Sequence, residues 1–139
     1  MESLKINLAN FNTDVDVTHK LNTNELYNWL NHLNHLKKEL KDLIILCSKN
    51  DNELLLKFKK KNEENDNLIS VLNRYKVIRE NIVECDDTKC DMFFITEHES
   101  YRRTYLYHLE KYRKVKDLFY ISIKGKMDRY SKKLSQKKI

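Results

Sequence analysis

A chain of 139 residues with no proline and a single glycine, Gly125, has almost no means of making tight turns. Hairpins and αβ crossovers draw on glycine and proline for the dihedrals that other residues resist. That shortage argues against a β-sandwich, a dinucleotide-binding fold or any glycine-rich phosphate loop. Charged residues make up 35% of the chain and apolar residues 40%, the composition of a few long amphipathic helices. The length suits one small domain.

The first helix is marked by Leu26, Trp29, Leu33, Leu36, Leu40, Leu43 and Cys47, a seam of alternating three- and four-residue steps. Leu30 and Ile44 widen it to the stripe of a bundle helix. Asn22 followed by Glu25 has the spacing of a capping box, which sets the expected start. Residues 1–21 lack helical period and read as an arm, extended or disordered. The domain proper is expected over 22–139.

A second helix is expected from Asn50, with Glu53 three residues on. Its apolar positions begin at Leu54, Leu55 and Phe58 and resume at Leu68, Ile69, Leu72, Tyr75, Ile78 and Ile82. Residues 59–67 between them are entirely polar. They read either as a loop or as helix whose seam turns polar; the preserved phase, without glycine or proline, favours one continuous helix. Cys85 to Cys90 reads as the next turn. A third helix then carries Phe94, His98, Tyr101, Tyr105, His108, Tyr112, Val115, Phe119, Ile123, Met127, Tyr130 and Leu134, with Gly125 a place where it ends or bends.

The expected fold is all-α, an antiparallel three-helix bundle with long second and third helices and coiled-coil-like seams. Helix one, the shortest, should leave one end of the other two protruding. Folding at the two turns sets His32–His35 level with Asn65–Leu68 and His108–Lys111.

Chemistry-bearing patterns are sparse. Cys85, Cys90, His98 and His108 are zinc-type ligands, but their spacing fits no standard structural site. His32, His35 and His108 share a level, yet no Glu-x-x-His pair accompanies them. No metal or other cofactor is expected, and the cysteines and His98 read as ordinary thiols and a helix histidine, although Cys85 and Cys90 flank a turn where their sulfurs could meet. Catalysis needs a nucleophile held against an oriented base in a pocket, and three packed helices offer little concavity, so the chain does not read as an enzyme. The Tyr/His stripe of helix three reads as tyrosines burying rings and sending hydroxyls outward, opposite Asn62 and Asn65.

Two interaction surfaces stand out. Lys124, Lys126, Arg129, Lys132, Lys133, Lys137 and Lys138 face one acid, Asp128, so residues 124–139 carry the whole net charge of +6. Such a segment suits sequence-blind contact with nucleic acid. Phe93, Phe94, Phe119 and Tyr120 form apolar runs too wide for one bundle face and suit contact with a protein partner or a second copy. No apolar run approaches the ~20 residues of a membrane span. The first residues hold no signal-peptide pattern, and an odd number of cysteines fits a reducing compartment. The expectation is a cytoplasmic, non-catalytic interaction or scaffold module that self-associates; the alternative is an accessory nucleic-acid-binding protein using its basic segment.

Glu25-Leu26-Tyr27-Asn28-Trp29-Leu30, followed by Leu33, Leu36 and Glu39-Leu40, resembles the opening helix of small uncharacterised three-helix proteins of Bacteroidetes bacteria. Phe58 ahead of a polar stretch and the long aromatic third helix continue the likeness over residues 22–134. The resemblance implies an intracellular three-helix protein and assigns no activity or functional residue.

Overall fold

The computed structural model describes residues 14–49, 51–80 and 87–137. They form three helices, α1 (Asp14–Cys47), α2 (Asn52–Glu80) and α3 (Thr88–Lys137), packed antiparallel, with the α1–α2 pair the most extensive. The all-α bundle is as expected.

The start of α1 is not. Residues 14–21 are helical rather than an arm, and the rest of the expected arm, residues 1–13, lies outside the described residues. Asp14 and Asp16 in the first turn complement the helix dipole. Thr18 and Thr23 turn their hydroxyls onto the carbonyls of Asp14 and His19, at 2.9 and 3.0 Å, so local bonds absorb polar residues that suggested a loop. Asn22 lies inside the helix and is buried, not a cap.

The α2 start is capped by Asp51, whose carboxylate accepts the Leu54 N–H at 3.0 Å; the expected Asn50 cap falls outside the described residues. From there α2 runs unbroken through residues 59–67. Its buried residues are Leu54, Phe58, Lys61, Asn65, Leu68, Leu72, Tyr75 and Arg79, a strict alternation of four- and three-residue steps. Lys61 holds its place by burying its stem and donating to Glu64 at 2.7 Å.

Asp87 caps α3 by accepting the Cys90 N–H at 2.8 Å. The seam of α3 repeats the same alternation from Phe94 to Phe119, where Phe119 meets Phe58 edge-on with ring centroids 5.8 Å apart. All ten residues expected to hold the bundle together are buried: Leu26, Trp29, Leu33, Leu36, Leu40, Phe58, Leu72, Tyr105, Tyr112 and Phe119.

Gly125 does not end α3, which reaches 50 residues, roughly 75 Å. With 34 residues α1 outruns α2, which has 29, so α3 alone protrudes. One end of the bundle is closed by His19 on α1 and Asp91 on α3, 3.0 Å apart. At the other end α3 passes the α1–α2 turn, and every residue from Lys126 to Gln136 is exposed.

Candidate functional site

Two features of the bundle hold the residues that could carry function: a polar network inside it and the overhang of α3.

The network starts from charged and polar residues that occupy seam positions. Arg79, at the last buried step of α2, donates through Nη1 to the Tyr75 hydroxyl at 3.1 Å and through Nη2 to the Thr23 hydroxyl and the His19 carbonyl at 2.9 and 2.8 Å. His98 on α3 is completely buried, stacked on Trp29 with centroids 4.8 Å apart. Its Nδ1 lies 2.7 Å from the Tyr75 hydroxyl and its Nε2 2.7 Å from Glu25 Oε1. Arg102 also donates to Glu25, at 2.6 and 3.0 Å, and to Glu99.

These contacts settle the proton positions. Arg102, ahead of the opposing effect of burial, holds the Glu25 carboxyl below its ordinary range, and His98 adds to that pull. A carboxylate only accepts, so His98 Nε2 carries the hydrogen and Nδ1 accepts from Tyr75. Tyr75 in turn accepts from Arg79. The chain Arg79 to Tyr75 to His98 to Glu25 therefore runs in one direction through a neutral imidazole. Burial, which lowers the His98 pKa, favours that same neutral form.

Trp29 stacks on Tyr105 as well, at 5.3 Å, and the Tyr105 hydroxyl meets His32 Nδ1. Further along, Asn65 donates to the Leu33 carbonyl at 3.0 Å, which turns its amide oxygen toward His108. His108 Nε2 donates to that oxygen at 2.9 Å. Tyr112 donates to Glu39 at 2.6 Å, and Lys116 lies at the same distance from it. Burial opposes the charge on Glu39, but Lys116 and Tyr112 outweigh it and keep the carboxyl below its usual range.

The sequence-level alignment of Asn65 with His108 holds as a contact, whereas His32 pairs with Tyr105. The Tyr/His stripe packs into the bundle, with Tyr105, His98, His108 and Tyr112 buried and Tyr101 half-buried. His98 is engaged at both nitrogens and does not meet Cys90. Among the described residues no cluster of three potential metal ligands forms. Cys90, in the first turn of α3, is disulfide-bonded, a departure from the ordinary thiol expected. Cys85 lies outside the described residues. Cys47 is free and buried, and burial raises its pKa.

The chain matches no protein-family model, no curated protein and no solved structure.

Sequence reasoning missed Glu25, Arg79 and Arg102 as a connected set. The available signal was phase: Arg79 continues the seam of α2 and Glu25 adjoins Leu26. A test of such polar positions is the pair Asn65 and His108. Asn65→Leu should cost about 1–3 kcal/mol by leaving the buried His108 N–H unpaired. Asn65→Leu with His108→Leu should recover most of that loss, and urea unfolding of the two single variants and the double variant measures it.

The predicted interaction face divides in two. Phe93 is exposed and Phe94 half-buried near the start of α3. Phe119 is buried in the core and Tyr120 is exposed, roughly 39 Å away along the helix. The basic residues Lys124, Lys126, Arg129, Lys132 and Lys133 are exposed, Lys137 is the last residue of α3, and Lys138 lies outside the described residues. No helix among the described residues is long and apolar enough to cross a membrane.

On the overhang Met127, Tyr130 and Leu134 continue the phase of Phe119 and Ile123. At about 100° per residue these five fall within an arc of about 80°. Where the overhang leaves the bundle, a cavity of about 210 Å³ opens beside the same seam, lined by Leu46, Cys47, Leu54, Phe119, Ile123 and Lys126 among others.

Proposed function

We propose that the protein is a non-catalytic helical interaction module whose docking element is the α3 overhang. One observation carries this reading. Met127 and Tyr130 are 64% exposed and Leu134 is 43% exposed, although they extend a seam that is buried or half-buried wherever α1 and α2 reach. An apolar helical stripe of this kind gains free energy by burial against another helix. The non-catalytic part is supported by the polar network, whose groups hold one another and line neither of the cavities at the ends of α3. The resemblance to Bacteroidetes three-helix proteins likewise assigns no activity. A cytoplasmic setting belongs to the same reading, although the Cys90 disulfide fits an oxidising compartment better.

Self-association is one form of it, opposed by the like charge of the two basic flanks: two overhangs cross antiparallel so that Met127, Tyr130 and Leu134 of each copy meet. Both overhangs are basic, so association through the apolar seam should strengthen as salt screens the repulsion. Sedimentation equilibrium at low and high salt measures this. A dimer that tightens with salt and is lost in Met127→Ser/Leu134→Ser supports self-association; a single chain under every condition excludes it.

A second reading rests on the exposure of Lys124, Lys126, Arg129, Lys132 and Lys133, which suits a grip on nucleic-acid phosphates. Its salt dependence has the opposite sign: affinity falls steeply as salt rises, and Met127 and Leu134 do not matter to it.

A further inference from the structure

We infer that the occupant of the overhang is an acidic amphipathic helix from another protein. This rests on the reading of the overhang as a docking element and adds the chemistry of the partner.

Residues 1–13 cannot cover the seam themselves. They precede Asp14, at the end of the bundle closed by His19 and Asp91. Thirteen residues span at most about 47 Å when fully extended. The 34-residue α1 alone is about 51 Å long, and Met127 lies beyond its far end. Residues 81–86 join α2 to α3 at that same distant end.

Charge then distinguishes the remaining occupants. Lys126 and Lys133 are one heptad apart and lie on the same flank of the seam, with Arg129 close behind them. The single acid of the segment, Asp128, falls on the other side of the helix. A partner helix seated on Met127, Tyr130 and Leu134 therefore places its flanking residues against ammonium and guanidinium groups, where Glu is favoured and Lys is repelled. A second copy brings the same basic flank and meets it with like charge. A bilayer calls for a broad apolar face, whereas this stripe is narrow and stepped in threes and fours, the pattern of a helix–helix seam. The cavity beside Phe119 and Ile123 continues the groove onto the bundle and offers a seat for an apolar anchor of the incoming helix.

Two synthetic helical peptides test the proposal, both with Leu at seam positions, one flanked by Glu and the other by Lys. Each is titrated by fluorescence anisotropy against the full-length chain, with circular dichroism confirming that every variant keeps its helicity. The Glu peptide should bind at least roughly tenfold more tightly than the Lys peptide, a difference of about 1.4 kcal/mol. Lys126→Glu/Lys133→Glu should reverse that preference, and Met127→Ser/Leu134→Ser should weaken the Glu peptide at least roughly tenfold. Equal affinity for the two peptides overturns the acidic partner while leaving the overhang as a docking element. Glu-peptide binding indifferent to Met127→Ser/Leu134→Ser overturns the docking reading itself. Failure of the Glu peptide to bind overturns the proposal. So does a short DNA duplex that binds more tightly than the Glu peptide and ignores both seam substitutions, which assigns the overhang to nucleic acid.

Discussion

Trp29→Ala should destabilise the bundle by about 3–5 kcal/mol, the range for removing a buried aromatic from a close-packed core. Trp29 is 4% exposed, and its ring is stacked on both His98 and Tyr105. Truncation opens a cavity between α1 and α3 and strips the wall that keeps His98 dry. A domain of this size has roughly 7–20 kcal/mol of total stability, so the loss should lower the urea midpoint clearly. Circular dichroism reads that midpoint without relying on the lost indole. Because its ring stacks on two rings of α3 at once, Trp29 is where the ring packing between α1 and α3 is concentrated. A loss under about 1 kcal/mol, the scale of an ordinary surface change, would mean the stacked rings do not hold the two helices together.

The second large effect is a loss of stability on mild acidification. Burial lowers the pKa values of both His98 and His108 below the ordinary histidine value. The unfolded chain therefore binds more protons than the folded chain at a pH below about 6.5, and stability rises with pH there. The contribution is complete above about pH 6.5 and is lost as pH falls toward the two depressed folded values. Two protons set the steepest slope, about 2.7 kcal/mol per pH unit. Protonating His98 also adds an N–H facing the Tyr75 hydroxyl, which already accepts from Arg79, so the directional chain must break. The carboxylates act in a different window. Glu25 is held low chiefly by Arg102; at Glu39 and Glu64 burial opposes the charge, but Lys116 and Tyr112, and Lys61, outweigh it. What they contribute is present above about pH 4.5 and is lost only as pH falls through their lowered values. Urea midpoints at about pH 7.5, 6.0 and 5.0 separate the two windows. His98→Gln, which keeps a donor and an acceptor but does not titrate near neutrality, should be less stable than the native chain at pH 7.5 yet show a shallower slope. An unchanged slope would place the titration elsewhere.

The seams were legible because heptad phase is a property of sequence alone. Leucines and aromatics at three- and four-residue steps indicated which residues are buried, and the phase carried α2 correctly through its polar stretch. The start of α1 was not legible. Asn, Thr and Asp between residues 14 and 24 compete with helix formation locally, and tertiary contacts such as His19 with Asp91 and Arg79 with Thr23 join the local threonine bonds in favour of the helix. The polar network was legible in part. Its members at seam positions, His98, His108 and Tyr75, stood out by phase, whereas Glu25 and Arg102 lie on the flanks and become partners only once α1 and α3 are docked. The overhang depends on how far α3 outruns α2 past the α1–α2 turn. Met127, Tyr130 and Leu134 carry the same phase as the buried stripe, so phase alone does not separate them from a core residue such as Phe119.

Hydrogen exchange along α3, with and without the Glu-flanked peptide, tests the central claim most directly. In the free single chain, amides of residues 127–136 should exchange quickly, since that part of the helix is exposed throughout, while those of residues 98–119 exchange slowly. Saturating peptide should slow the overhang amides selectively. Overhang amides that stay fast at saturation, or that are already as slow as the core in the free single chain, would contradict a docking role for the end of α3.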